Sequence, residues 1–118
     1  MTEIESIELA RAYVALSNAH RPDLIQPLFT DDAVYRSSAV GEHRGAMAIV
    51  AMMRAFFTRY PDVHWQCGHY RCDGDRVSFD FELTATATDD GSRLQRAGIE
   101  HIEFDPQGLI KALEVNAA

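Results

Sequence analysis

Residues 76–88 read "RVSFDFELTATAT". Val77, Phe79, Phe81, Leu83 and Ala85 fall on one side of an extended chain. Ser78, Asp80, Glu82, Thr84 and Thr86 fall on the other. Alternation sustained over this length predicts a β-strand with one buried face. "DGD" at 73–75 and "DDGS" at 89–92 are turn formers, so the strand should have antiparallel neighbours on both sides. Upstream, "VHWQCGHYRC" (63–72) supplies one. Downstream, "RLQRAGIEHIEF" (93–104) supplies the other, and "DPQG" (105–108) turns the chain into a fourth strand, "LIKALEV". The second half of the chain is thus expected to be a four-stranded meander.

The first half has the period of a helix instead. Thr2 with Glu5 fits a capping box opening a helix from Thr2 to Ala19. Leu9, Tyr13 and Leu16 form one row on it, beside Ile7, Ala10 and Val14. "NAHRPD" ends this helix, and Pro22 suits the first turn of a short second one, "PDLIQPLF", which Pro27 ends or bends. "TDDAVYRSS" reads as a turn and a short strand, and "AVGEHRG" as a loop. Gly45 opens a third helix reaching Tyr60, with Ile49, Met53, Phe56, Phe57 and Tyr60 on one side. Helices gathered in one half and strands in the other indicate an α+β fold. The expected architecture is a single domain over residues 1–118, a curved mixed or antiparallel sheet forming a cone covered by three helices.

With 118 residues, 47% of them hydrophobic and 25% charged, the chain suits one globular core. Its formal net charge of -7 and its single lysine, Lys111, argue against nucleic acid and against anionic membrane surfaces. No stretch approaches the length of a membrane span and no signal peptide is recognisable, so a cytoplasmic location is expected. Cys67 and Cys72 complete no metal or redox motif, and an odd separation places them on opposite faces of a regular strand. No metal and no cofactor is expected, and no phosphate-binding loop or serine-hydrolase elbow is present.

Two residues stand out. Glu100 shares a strand face with Ile102 and Phe104. A carboxyl group on an apolar face is either paired, for instance with Arg96 on the same face, or pushed towards its neutral form by desolvation. Tyr13 points inward from the first helix and is either a core tyrosine bonded to a backbone carbonyl or a donor in a cavity. A tyrosine hydroxyl and a neutral carboxylic acid in one apolar cavity would both donate to a single oxygen, as an oxyanion hole does. Trp65, Phe81, Phe57 and Met53 are the apolar side chains expected to line such a cavity and bind its ligand.

"ARAYVALSNAHRPDLIQPLFTDDAVYRS", "GEHRGAMAI" and "GIEHIEFDPQGLIKALE" together, in this order and spacing, resemble the nuclear transport factor 2-like superfamily. The similar branch contains SnoaL-like polyketide cyclases and ketosteroid isomerase. The resemblance spans nearly the whole chain and implies a cystatin-like cone. In ketosteroid isomerase a tyrosine and a protonated aspartate form the oxyanion hole, and a second aspartate is the general base. By resemblance, Tyr13 and Glu100 take the first two places as candidate catalytic residues. The base position falls at Ser37 or Ser38, neither of which removes a carbon-bound proton unaided. His43, Glu42 and Asp31 are candidate substitutes.

Three functions follow from this reading. The first is a cofactor-independent isomerase or cyclase that polarises a carbonyl of a small hydrophobic, steroid- or polyketide-like substrate. The second is a non-catalytic pocket for a small apolar ligand. The third is a dimerisation module. The face bearing Ser78, Asp80, Glu82, Thr84, Thr86, Gln95, Ala97, Ile99, His101 and Glu103 is where the resemblance implies a homodimer.

Overall fold

The computed structural model describes residues 1–117. Its first helix, α1 (Glu3–Asn18), begins with the expected box. The Thr2 hydroxyl accepts the Glu5 amide at 3.1 Å, and the Glu5 carboxylate accepts the Thr2 amide at 3.0 Å. The buried stripe of α1 is Ser6, Ala10, Tyr13 and Ser17. Ile7, Leu9, Val14 and Leu16 are half-buried at its edges. Of the two apolar rows seen in the sequence, Ala10 and Tyr13 lie in the stripe and the other four residues form its margins. Three of the four stripe residues, Ser6, Ala10 and Ser17, are small, and Tyr13 is the one large side chain among them.

α2 (Pro22–Ile25) is one turn long, and the chain tightens into a 3-10 turn over Gln26–Leu28 at Pro27. Strand β1 (Phe29–Ser37) follows. The segment expected to be a loop then forms a second strand, β2 (Gly41–Arg44), which pairs antiparallel with β1 from Val34↔Arg44 to Ser37↔Gly41. Its polar sequence hides it, because this edge hairpin buries almost nothing. Helix α3 (Ala46–Arg59) buries Ala46, Ile49, Val50 and Met53.

Strands β3 (His64–Asp73), β4 (Arg76–Thr86), β5 (Arg93–Phe104) and β6 (Ile110–Ala117) form the meander. The sheet has six strands in the order β2-β1-β6-β5-β4-β3. β1 runs parallel to β6, and every other pair is antiparallel. The fold is α+β with a mixed sheet, as the change of period predicts. Phe79, Ile102, Leu113 and Phe104 form the floor of the core beneath α1 and α3. Among the described residues, no helix is long and apolar enough to cross a membrane.

One departure from regular pleating matters. Gly68 pairs with Asp80 and Arg71 with Ser78, so His69 and Tyr70 together oppose Phe79 alone. His69 takes the left-handed backbone conformation, at φ 54°. This β-bulge adds one residue to β3 and reverses its parity. Cys67 pairs with Phe81 and Cys72 with Val77, both on the inner face, so the two thiols share a face rather than opposing one another. Tyr70 also turns inward, stacking on Phe79 at 4.9 Å.

Candidate functional site

The strand registers order the inner face into rows. Phe79, Glu100, Val115 and Ser37 form one row across β4, β5, β6 and β1. The row on one side of it is Val77, Ile102, Leu113 and Tyr35. On the other side lie Cys67, Phe81, Gly98 and Ala117, and beyond them Trp65, Leu83 and Arg96. Glu100 thus sits mid-sheet with apolar side chains on both flanks. α1 and α3 roof it.

Between roof and sheet lies a pocket of about 780 Å³ of empty space, its open mouth included. Tyr13 and Glu100 both line it, and so do Trp65, Phe81, Phe57 and Met53. All six residues singled out in the sequence meet in one cavity. Glu100 is 6% exposed and has no ion-pair or hydrogen-bond partner among the described residues. Burial pushes its carboxyl up to about 8. The expected alternative, a Glu100–Arg96 ion pair, does not form. Desolvation dominates Glu100, and no neighbouring cation holds its proton off.

Tyr13 makes no hydrogen bond to a backbone carbonyl. Its polar neighbour is Ser17, whose hydroxyl already donates to the Tyr13 carbonyl at 2.9 Å. Burial, and then the nearby Glu100 carboxyl, push the Tyr13 phenol well above its ordinary value, so it is a hydrogen-bond donor at any physiological pH. Tyr35 lies on the same wall, and burial raises it likewise. The sequence reading missed Tyr35. The signal was present in the pleat of β1, where Ala33, Tyr35 and Ser37 alternate with exposed or half-buried residues.

Two features hold the aromatic wall in place. Asn18, just at the end of α1, donates to the Trp65 carbonyl at 2.9 Å and accepts the Trp65 amide at 2.8 Å. His20 stacks on Phe57 at 4.7 Å while its Nε2 lies 2.7 Å from the Val63 carbonyl. "NAHRPD" therefore does more than end a helix: it positions two walls of the pocket.

The general base is absent where the resemblance places it. The Ser37 hydroxyl accepts the amides of Ala39 and Val40 at 3.1 and 3.3 Å, closing the β1–β2 turn. The Ser38 hydroxyl accepts the Ala117 amide at 3.0 Å and ties that turn to β6. Both serines have structural work. None of the candidate substitutes lines the pocket. Glu42 pairs with Arg36 and Arg44, at 2.8 and 2.9 Å. His43 contacts the Val40 carbonyl at 3.0 Å. Among the described residues no three His, Cys, Asp or Glu side chains converge as metal ligands would.

The SnoaL-like domain matches this sequence over residues 10–113. The chain belongs to that family. The match includes every residue of the site except Val115 and Ala117 at the far end of β6. Solved structures carry the same fold at low identity. The epoxide hydrolase/cyclase-like enzyme SalBIII, of pyran ring formation in polyether salinomycin, is 20% identical with a TM-score of 0.86, over 97% of this chain and 91% of its own. An NTF2-like protein of unknown function from Exiguobacterium is 20% identical with a TM-score of 0.82, over 93% and 98%. A protein of ketosteroid isomerase-like fold from Catenulispora acidiphila, in complex with trimethylamine, is 17% identical with a TM-score of 0.81, over 91% and 82%. No curated protein matches the sequence. These likenesses show a SnoaL-like domain of nuclear transport factor 2-like fold.

Proposed function

We propose that this SnoaL-like domain binds a small hydrophobic carbonyl compound and polarises it without a cofactor, as a cyclase or isomerase would. The observation that carries this reading is Glu100: a buried carboxyl group with no partner, facing an apolar cavity beside Tyr13. A neutral carboxylic acid and a phenol both donate hydrogen bonds, and a carbonyl oxygen that gains charge on enolisation is the acceptor such a pair suits. Fixed donors in a dry site need no reorganisation as that charge develops.

The proton inventory narrows the reaction. Besides Glu100 the lining holds no Asp, Glu or His. A two-carboxylate isomerisation therefore has no second group. The geometry favours substrates whose own C–H is acidic, such as 1,3-dicarbonyl compounds. Such a substrate loses its proton to solvent at the mouth, and Glu100 and Tyr13 hold the resulting enolate oxygen.

The test is a titration with 2-naphthol, followed by ultraviolet absorbance, on wild type, Tyr13→Phe and Glu100→Gln. Wild type is expected to bind it, and each substitution to weaken binding by about 1 kcal/mol or more, the scale of one lost hydrogen bond. Equal binding by all three proteins would overturn the donor pair.

A homodimer is proposed as well, through the sheet face that no helix covers. Ile99, 37% exposed, stands there between Asp80 and Asn116, with Ala97 next along the same face of β5. Light scattering at micromolar concentration should give the mass of two chains, and the mass of one would refute it.

A further inference from the structure

We infer that the ligand of this pocket carries a carboxylate, received by Arg96 at the end of the cavity away from Glu100. The inference rests on the pocket reading above and names the substrate class more closely.

Arg96 and Glu100 are the only formally ionisable acid or base side chains of the lining apart from the two tyrosines. They lie on the same face of β5, four residues apart, which separates their Cα atoms by roughly 13 Å at the usual strand rise. Arg96 is set among apolar neighbours. Leu83 is opposite it on β4, with Trp65 next in the same row on β3. Leu94 and Gly98 flank it along its own face. On its other side the last described pair of β5 with β6 is Gly98↔Ala117.

Among the described residues its charge has no partner. Nine ion pairs join arginine, lysine or histidine to acids elsewhere among the described residues, and none involves Arg96. The chain has 18 acidic residues to choose from. Glu100 does not serve, because it lies four residues along the strand and forms no ion pair with Arg96. Arg96 lines the same cavity as Tyr35 and Glu100, on the inner-face row of Trp65 and Leu83. An arginine held half-buried beside Trp65 and Leu83, without a counter-charge, is a fork of donors waiting for a planar anion. A carboxylate matches that fork with two parallel hydrogen bonds.

The two ends of the pocket then have different tasks. Glu100 and Tyr13 take a neutral oxygen, and Arg96 takes a charged one. A hydrophobic acid with a carbonyl or enol oxygen at its far end satisfies both. In a protein of net charge -7, a general field would repel such an anion, so recognition falls to this one local cation.

The experiment compares 6-hydroxy-2-naphthoate with 2-naphthol by calorimetric titration on wild type, Arg96→Gln and Arg96→Lys, each checked for cooperative unfolding. In wild type the naphthoate should bind at least tenfold tighter than the naphthol, with an advantage that shrinks as sodium chloride is raised. Arg96→Gln should bring the ratio close to one. Arg96→Lys should keep part of it, because charge survives while the fork is lost. A wild-type ratio near one overturns the inference while naphthol binding leaves the pocket reading standing. A ratio unchanged in Arg96→Gln does the same. Failure of both compounds to bind wild type overturns the inference and the pocket reading together.

Discussion

Glu100→Gln is expected to remove most of a pH dependence from the stability of this protein. The ordinary value of the carboxyl is 4.5, and burial raises it to about 8. Between those values the folded chain holds a proton that the unfolded chain has released. The stability this contributes is fully present below pH 4.5, and is lost as pH rises through 8. The slope is about 1.4 kcal/mol per pH unit, so the whole window amounts to something on the order of 5 kcal/mol. Glutamine keeps the shape and a donor but has nothing to ionise. Urea unfolding of both proteins from pH 4 to 9 should therefore give similar stabilities at the acid end. The variant should become the more stable protein, by several kcal/mol, at the alkaline end. Parallel curves across the range would mean that Glu100 is solvated or paired in the folded state, and the donor role would fall with it.

Gly98→Ala is the second large effect. A Cβ built at this position overlaps the Asn116 carbonyl oxygen and lies 2.9 Å from the Ala117 Cα. These are backbone atoms of β6, so no side-chain rotation relieves the clash. Glycine inside a strand often marks such a close approach of another backbone. The register Gly98↔Ala117 is the last described between β5 and β6, and the cheapest response is for this part of β6 to lift away. Overpacking of this kind costs about 1–3 kcal/mol. It also moves Val115 and Ala117, which line the pocket. Denaturant midpoints and 2-naphthol affinity should both fall. A variant as stable as wild type, with intact binding, would show that β6 adjusts freely at this point.

The strands were legible because their burial is one-sided. Val77, Phe79, Phe81, Leu83 and Ala85 alternate cleanly with polar residues, and all five are buried in the structure. Glu100 was legible for the same reason: a charge on an apolar face breaks a pattern and is visible as a break. β2 was not, since an edge hairpin of Gly, Glu, His and Arg carries no burial signal. The bulge was hidden too. Nothing in "CGHYRC" announces that His69 is extra, and an uninterrupted pleat sends Cys72 the wrong way. The sequence leaves open whether Arg96 pairs with Glu100, because spacing along a strand shows which residues share a face and not whether they reach each other. Asn18 and His20 act through contacts with Trp65, Phe57 and Val63, more than 30 positions away, which no local pattern encodes.

The parallel pairing of β1 with β6 has a kinetic consequence. The hydrogen bond from Ala117 to Ser38 closes a separation of 79 residues. Chain closures of that span are slow to form, because their entropy is lost before the contact rewards it. The β3–β4–β5–β6 meander can assemble from near neighbours, so β1, which carries Tyr35 and Ser37, is the natural last piece to dock, against β6. Until it does, Glu100 has water on one side and stays ionised at neutral pH. Refolding of wild type at pH 7 should therefore end in a step that takes up a proton from solvent, and a pH-indicator dye would register that step as a late alkaline drift absent from Glu100→Gln.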